Sequence, residues 1–190
     1  VMNSLEVLVQ GFSWREASGV WHVSSNVTII RDEGPVLLVD LGAPDRQQAL
    51  LEALASHGLV PRDIAAVVLT HMHVDHVGAL ALFPQTPLVT SRGIMTGSRF
   101  QFSHPSTLHL SPHTFLLRVP GHTSGDLALG FHEDDGTTTV VAGDLFPESL
   151  AVDAPTIAED AQALGDSRKR VLAMADRVVT GHGPVLPVKR

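Results

Sequence analysis

The stretch "LTHMHVDHVG", residues 69–78, places three histidines and an aspartate within six residues, namely His71, His73, Asp75 and His76. A single histidine is most often a hydrogen-bonded loop residue, but this H-x-H-x-D-H string concentrates imidazole and carboxylate groups that bind metal ions. Side chains alternate along an extended chain, so we expect His71 and His73 to project toward one ion. Asp75 and His76, at the turn into the next helix, are expected to reach a second ion.

Three further residues of ligand type follow short apolar strands. "LLRVPG" precedes His122, "VVAG" precedes Asp144 and "RVVTG" precedes His182, so each ligand stands beside glycine. Strand ends closed by glycine turns can gather ligands at one edge of a sheet. Seven nitrogen and oxygen ligands exceed what one tetrahedral ion needs, so the sequence predicts two ions sharing a bridging carboxylate. The ions would be Zn²⁺, with Fe or Mn as alternatives, and would activate a hydroxide to attack an electrophile.

The composition predicts one globular domain over residues 1–190, with 44% hydrophobic and 17% charged residues. The net charge of −7 disfavours duplex DNA as a partner, and the lack of cysteine excludes thiolate ligands. No apolar run reaches the roughly 18 residues that a membrane helix needs, and the N-terminal residues lack a signal-peptide pattern. We therefore expect a cytoplasmic protein that does not bind membranes.

The hydrophobic pattern predicts an α/β layered fold. Strands are expected at 5–12, 25–32, 36–40, 65–69 and 87–91, near 115–119, on both sides of the turn at 134–136, and at 176–180. Helices are expected after Asp45 as N-cap, at 77–83 and at 159–175. Residues 92–113 are expected to form a long loop with one short strand, and residues 148–158 a second loop.

In their order and glycine context, these motifs resemble the metallo-β-lactamase superfamily. The resemblance implies a four-layer αβ/βα sandwich with a dinuclear site at one edge. Carried over to this chain, one ion is held by His71, His73 and His122, the other by Asp75, His76 and His182, and Asp144 bridges them. The resemblance also makes Asp75 and Asp144 the catalytic residues and assigns Asp40, which closes an early strand, a supporting role.

Several segments, among them "GPVLLVD", "VVAGDLFPES" and "SRKRVLAMADRVVTGHGP", look like the metallo-β-lactamase domain-containing protein 1 group. That group is associated with hydrolysis, including endoribonuclease activity on histone pre-mRNA. The resemblance therefore implies a dinuclear zinc hydrolase acting on a phosphodiester such as RNA.

Three alternatives remain open at this stage. The first is an ester or thioester hydrolase of glyoxalase II type, and the second is a mononuclear iron dioxygenase acting on a persulfide. The third is a metal-binding pseudoenzyme that serves as an interaction module, which is weakened because no expected ligand is missing. One iron ion would leave four ligand-type residues idle, namely Asp75, His76, Asp144 and His182.

The expected partners are a small-molecule or RNA substrate and, in a homodimer, a second copy of the chain. Aromatic residues make up 5% of the chain and tyrosine is absent, so few side chains could stack on bases. The candidates are Trp14, Trp21 and Phe100, together with Arg92 and Arg99. The two tryptophans and Phe12 are candidates for a flap over the site, with edge packing an alternative at least as strong.

Overall fold

The structure, a computed structural model, describes residues 3–151 and 157–189. Its strands are β1 (Ser4–Val9), β2 (Phe12–Arg15), β3 (Trp21–Ser24), β4 (Val27–Arg31), β5 (Val36–Val39), β6 (Ala66–Val68), β7 (Leu88–Thr90), β8 (Gly93–Thr96), β9 (Arg99–Phe102), β10 (Thr114–Arg118), β11 (Leu127–His132), β12 (Thr138–Val141), β13 (Arg177–Val179) and β14 (Val185–Pro187). Its α-helices are α1 (Gln47–Ser56), α2 (Val74–Val77) and α3 (Ala161–Met174). None of these helices is both long and apolar enough to cross a membrane.

The strands form two large sheets and one hairpin. The first sheet has the order β1-β4-β5-β6-β7-β8-β9, and the second has the order β10-β11-β12-β13-β14. Pairing is parallel between β5, β6 and β7 and between β12 and β13, and antiparallel elsewhere in both sheets. The hairpin β2–β3 stands apart as a two-stranded sheet. Short apolar strands with parallel neighbours are typical of sheets covered on both faces.

Alternate residues of the central strands enter different hydrophobic cores. In β5, Leu37 and Val39 pack in the core between the sheets, while Leu38 packs on the outer face against α1. In β12, Val141 faces the core between the sheets and Val140 faces the core that contains α3. The layers are therefore helix, sheet, sheet and helix, and the predicted four-layer sandwich is confirmed.

Helix α3 is tied to the turn that carries Asp144. Its N-cap, Asp160, accepts a hydrogen bond from the backbone N–H of Ala163 at 2.9 Å, a typical N-terminal cap. Arg168, in the middle of the helix, is almost completely buried and its Nε donates to the carbonyl of Leu145 at 2.7 Å. Its guanidinium also lies 5.6 Å from the ring centre of Phe146. The helix thus holds the backbone next to Asp144.

Two predicted helix boundaries were wrong because of proline and a close chain crossing. Pro44 begins a 3₁₀ turn over Pro44–Arg46, so Asp45 lies inside that turn and Arg46 becomes the N-cap of α1. The helix expected at 77–83 is instead α2 followed by a 3₁₀ turn at Leu80–Leu82. A Cβ at Gly78 would lie 2.3 Å from the backbone of Ala43, so the crossing chain interrupts the helix there.

Other differences concern hairpins and one loop. The strand expected at 5–12 ends at Val9, and a separate hairpin, β2–β3, begins at Phe12. Part of the loop expected at 92–113 forms the hairpin β8–β9, which extends the first sheet. The loop expected at 148–158 lies partly outside the described residues.

Candidate metal centre

The structure brings all seven predicted ligand residues together where strands β6, β12 and β13 end. Their ligand atoms form two groups, and within each group all atoms lie within 4.8 Å of one another. One group is His71, His73, His122 and Asp144, and the other is Asp75, His76 and His182. This is the division that the sequence predicts for two ions.

Asp144 faces both groups through different oxygen atoms. Its Oδ1 lies 3.3 Å from Nε2 of His76 and 3.0 Å from Nε2 of His182. Its Oδ2 lies 3.5 Å from Nε2 of His122, in the other group. The carboxylate is therefore placed between the groups, with one oxygen toward each.

The outer ring nitrogens of two histidines are held by backbone carbonyl acceptors. Nδ1 of His122 lies 2.6 Å from the carbonyl of Ile157, and Nδ1 of His182 lies 2.9 Å from the carbonyl of Ser24. A carbonyl accepts only from a protonated nitrogen, so in both rings Nδ1 donates and the lone pair of Nε2 faces the cluster. His73 has the opposite orientation, with Nδ1 3.0 Å from Nε2 of both His71 and His122.

Asp40 orients His76 from behind. It is buried, and it accepts hydrogen bonds from the backbone N–H and the hydroxyl of Thr70 at 2.8 and 2.7 Å. Its Oδ2 also lies 2.8 Å from Nδ1 of His76. The φ angle of Asp40 is +57°, a left-handed conformation that is rare for residues with a side chain. The structure therefore places Asp40 in the supporting position that the resemblance implies.

Glycines stand beside the ligands because the chain packs too closely for a side chain. A Cβ at Gly143, where φ is +53°, would lie 2.6 Å from the hydroxyl oxygen of Thr70. A Cβ at Gly181 would lie 2.1 Å from Oδ1 of Asp144. These contacts explain the Gly-Asp and Gly-His pairs in the sequence, since any other residue would displace the aspartate.

The buried charges of the cluster compensate one another. Burial, together with the nearby His76, lowers the pKa of His71 to about 2, so this ring is neutral. Burial also opposes the charged form of His76, but Asp40 and Asp144 outweigh it and hold the His76 pKa well above 6.5. Burial would raise the pKa of Asp144, but His182 and His76 outweigh it and hold that pKa well below 3.8. Asp144 is therefore an anion.

The donor atoms fit a cation. Nε2 of His76 and Oδ1 of Asp144 are both buried without a hydrogen-bond partner, although they lie 3.3 Å apart. Buried polar atoms are normally satisfied, so a nitrogen and an oxygen left facing each other without partners are the arrangement expected of metal ligands, once His76 gives up its Nε2 proton to bind the ion. Imidazole nitrogen and carboxylate oxygen without sulfur suit Zn²⁺, and also Fe or Mn.

A cavity of about 260 Å³ opens over the cluster, and we call it the metal-side cavity. Its remaining walls are Ser13, Trp21, Val23, Pro147, Glu148 and Ile157. The indole Nε1 of Trp21 donates to the hydroxyl of Ser13 at 3.0 Å, which fixes the ring within hairpin β2–β3. Trp14 instead stacks on His22 at 3.9 Å between ring centres and does not line the cavity. Of the three candidate flap residues, the structure thus places Trp21 at the site, whereas Trp14 and Phe12 do not line the cavity.

Sequence reasoning missed Asn26, which holds the loop that carries His182. The Asn26 side chain donates to the carbonyls of Thr180 at 2.7 Å and Gly183 at 2.8 Å. Its Oδ1 accepts from the backbone N–H of Gly11 at 2.7 Å. A polar residue at the start of an apolar strand carries no sequence signal for this role, because its partners lie more than 150 positions away or across a turn.

The fold and the His/Asp cluster together define a metal-dependent hydrolase. A family model described as the metallo-beta-lactamase superfamily matches residues 20–106, which include the H-x-H-x-D-H string. "Metallo-beta-lactamase domain-containing protein 1" of Xenopus laevis is 33% identical over 189 residues, covering 96% of this chain and 80% of the relative. The chain therefore belongs to the metallo-β-lactamase superfamily.

Two other proteins extend the comparison. The human protein of the same description is 40% identical over 163 residues, covering 83% of this chain, which matches 61% of the human protein's length. The solved structure of an N-acyl homoserine lactone hydrolase, with its product at the catalytic metal centre, has a TM-score of 0.76 at 17% identity. That match covers 96% of this chain and 94% of the other, and it shows a shared fold.

Proposed function

We propose that the protein is a dinuclear zinc hydrolase that cleaves phosphodiesters. The observation that carries the dinuclear part is the position of Asp144, whose two oxygens face different ligand groups. A carboxylate between two cations offsets their mutual repulsion and sets their separation. The neutral His71 and the anionic Asp144 are in the protonation states that ligands require.

The ligand residues would have distinct roles in the reaction. A bound pair of zinc ions would supply Lewis acidity and lower the pKa of a water molecule. Asp75 Oδ2 lies 3.6 Å from Nε2 of His182 and 3.8 Å from Nε2 of His76, and the residue also lines the metal-side cavity. Its carboxylate can therefore hold the attacking water and take its proton.

Phosphodiesters are the leading substrate class because two adjacent ligand groups suit an in-line displacement. Two cations about 3.5–4 Å apart can clamp both the attacking and the leaving oxygen. The resemblance of the chain to metallo-β-lactamase domain-containing protein 1 supports the same class.

A second candidate, ester or thioester hydrolysis, is favoured by the walls of the metal-side cavity. Trp21, Val23 and Ile157 are apolar, and Glu148 is acidic, while the described lining includes no lysine or arginine. A neutral carbonyl substrate suits such walls better than an anion does. The lactone hydrolase with the same fold acts on an ester, which is consistent with this candidate.

Metal analysis tests the dinuclear proposal. Plasma mass spectrometry after zinc loading should find two ions per chain. Asp144→Ala should weaken both ions, whereas His182→Ala should chiefly weaken one. A saturating content of one ion, unchanged in Asp75→Ala, would refute the dinuclear centre.

A panel of substrates tests the reaction. Single-stranded RNA, bis-nitrophenyl phosphate and an acyl-glutathione thioester are assayed side by side with the wild type and with Asp144→Ala. We expect phosphodiester turnover that the substitution abolishes and, for RNA, a rate that falls steeply with salt as counterions are released. Thioester turnover orders of magnitude above phosphodiester turnover would overturn the phosphodiester proposal in favour of the second candidate.

A further inference from the structure

A second cavity, of about 430 Å³, is lined in part by the metal ligands His71 and His73, and we call it the flanking cavity. It shares His73 with the metal-side cavity, so the ligand cluster lies between two cavities. Its volume is in the range of small-ligand sites. Its walls are Leu69, His71, Met72, His73, Thr90, Ser91, Arg92, Phe100, Thr123, Ser124, Gly125 and Glu159.

We propose that the flanking cavity binds the nucleotide next to the scissile phosphate in a single-stranded nucleic acid. Arg92 would contact that nucleotide's phosphate and Phe100 would stack on its base. This subsite rests on the proposed phosphodiesterase activity. It would extend that activity from a small diester to a polymer.

Arg92 supplies the positive charge that the metal-side cavity lacks. It lies in the turn between β7 and β8, where its N–H donates to the hydroxyl of Thr90 at 3.3 Å and its carbonyl accepts from the N–H of Ser103 at 3.2 Å. Its guanidinium forms no ion pair within 4.0 Å in the described part of the chain. A fixed backbone with an unpaired arginine side chain at a cavity wall is suited to binding an anion.

Phe100 supplies a stacking surface. It lies on β9, the edge strand of the first sheet, and 39% of its surface is exposed. Phe102 supports the ring edge-on, with ring centres 4.9 Å apart. An aromatic ring that is held from one side and open at a cavity can stack on a base of any sequence.

The lining of the flanking cavity can also accept hydrogen bonds. Glu159 is the acidic residue among the described residues that line the flanking cavity, and its Oε2 is engaged by the backbone N–H of Ser124 at 2.6 Å. Its other oxygen can accept from a sugar hydroxyl or a base amino group. Arg92 and Glu159 therefore give the flanking cavity one group of each charge, and we assign the phosphate to the arginine.

The test compares a single-stranded hexanucleotide with bis-nitrophenyl phosphate, using the zinc-loaded protein. Arg92→Gln and Phe100→Leu remove the charge and the ring, and Arg99→Gln is a matched control on β9 that does not line the cavity. Loss of one stacking contact predicts a rise in the hexanucleotide KM of about 5- to 100-fold for Phe100→Leu. Arg92→Gln should make the slope of log(kcat/KM) against log[salt] less steep by about 0.7.

The expected result is a fall in the ratio of hexanucleotide to small-diester activity for the two cavity variants, through KM, with the ratio unchanged in Arg99→Gln. If the wild type cleaves both diesters and the cavity variants keep the wild-type ratio and salt slope, the subsite is refuted and the phosphodiesterase proposal stands. If the wild type cleaves the thioester and neither diester, both proposals fail. Equal loss of thioester and hexanucleotide activity in Arg92→Gln, with none in Phe100→Leu, would identify a general anion site and also overturn the nucleotide assignment.

Discussion

Replacing Asp40 by asparagine should weaken zinc binding without changing the fold. Asparagine adopts positive φ readily, so the +57° backbone at this position is retained. The aspartate accepts three hydrogen bonds, two from Thr70 and one at Nδ1 of His76. An asparagine side chain has a single acceptor oxygen, so its NH₂ group must face one of these donors. If this NH₂ group faces His76, it donates to Nδ1 and favours the tautomer that carries the proton on Nε2. In that tautomer, Nε2 of His76 cannot bind a metal.

The size of the effect follows from the bond that is lost. A hydrogen bond to a charged group contributes about 1.5–3 kcal/mol. At 1.36 kcal/mol for each factor of ten, this is about a 10- to 100-fold loss of zinc affinity, the range typical of residues that orient metal ligands. The measurement is a competitive titration against a chromophoric zinc chelator, with zinc content per chain determined in parallel.

The chain offers a matched control for Asp40→Asn. Asp32 is also buried and also accepts hydrogen bonds from a histidine, with His113 donating from its backbone N–H at 2.8 Å and Nδ1 lying 2.7 Å away. Asp32→Asn should lower the melting temperature and leave zinc affinity unchanged. Wild-type zinc affinity in Asp40→Asn would refute the claim that Asp40 sets the tautomer of His76.

Three further predictions concern stability. Asn26→Ala should lower the free energy of unfolding by about 3 kcal/mol and weaken zinc binding through the His182 loop, because buried hydrogen-bond partners are left unsatisfied. Urea unfolding and a zinc titration measure the two effects. The hydrogen bond that His113 donates to Asp32 raises the pKa of His113 above 6.5. Burial would raise the pKa of Asp32, but the hydrogen bonds from Ser111 and His113 outweigh burial and lower that pKa below 3.8. This pair's contribution is present between about pH 3.8 and 6.5, falls below that range as Asp32 protonates and falls above it as His113 deprotonates. The melting-temperature deficit of His113→Gln should therefore be largest near pH 5 and disappear in alkaline buffer. Removing zinc with a chelator should lower the melting temperature, and the drop should be larger when the zinc concentration before removal is further above the Kd. An unchanged melting curve would contradict tight binding of zinc to the native state.

Much of the fold could be predicted because its strands are buried on both faces. Continuous apolar runs such as "VLLV" in β5 can be read without knowledge of their partners. The hairpins β2–β3 and β8–β9 could not, because most of their residues are exposed or only half-buried and the strands lack apolar periodicity. The early end of the helix at Gly78 also depends on a contact with Ala43, which no local pattern encodes.

The sequence by itself determined the chemistry of the site. Residues with ligand atoms follow strands at glycine turns, so the candidate ligands can be identified from the local pattern, whereas the meeting of turns from two sheets depends on the fold. His71, His73, Asp75 and His76 lie within six residues, and this spacing already divides them between two groups.

Only the tertiary structure decided which way each ring faces and what surrounds the cluster. The acceptors behind His122 and His182 are the backbone carbonyls of Ile157 and Ser24, and every residue carries such a carbonyl, so sequence cannot single them out. Likewise, Trp21 reaches the metal-side cavity and Arg92 the flanking cavity because separate hairpins pack beside the same strand ends. Ligand identity is a property of side-chain chemistry, whereas orientation and access depend on chain segments that meet only after folding.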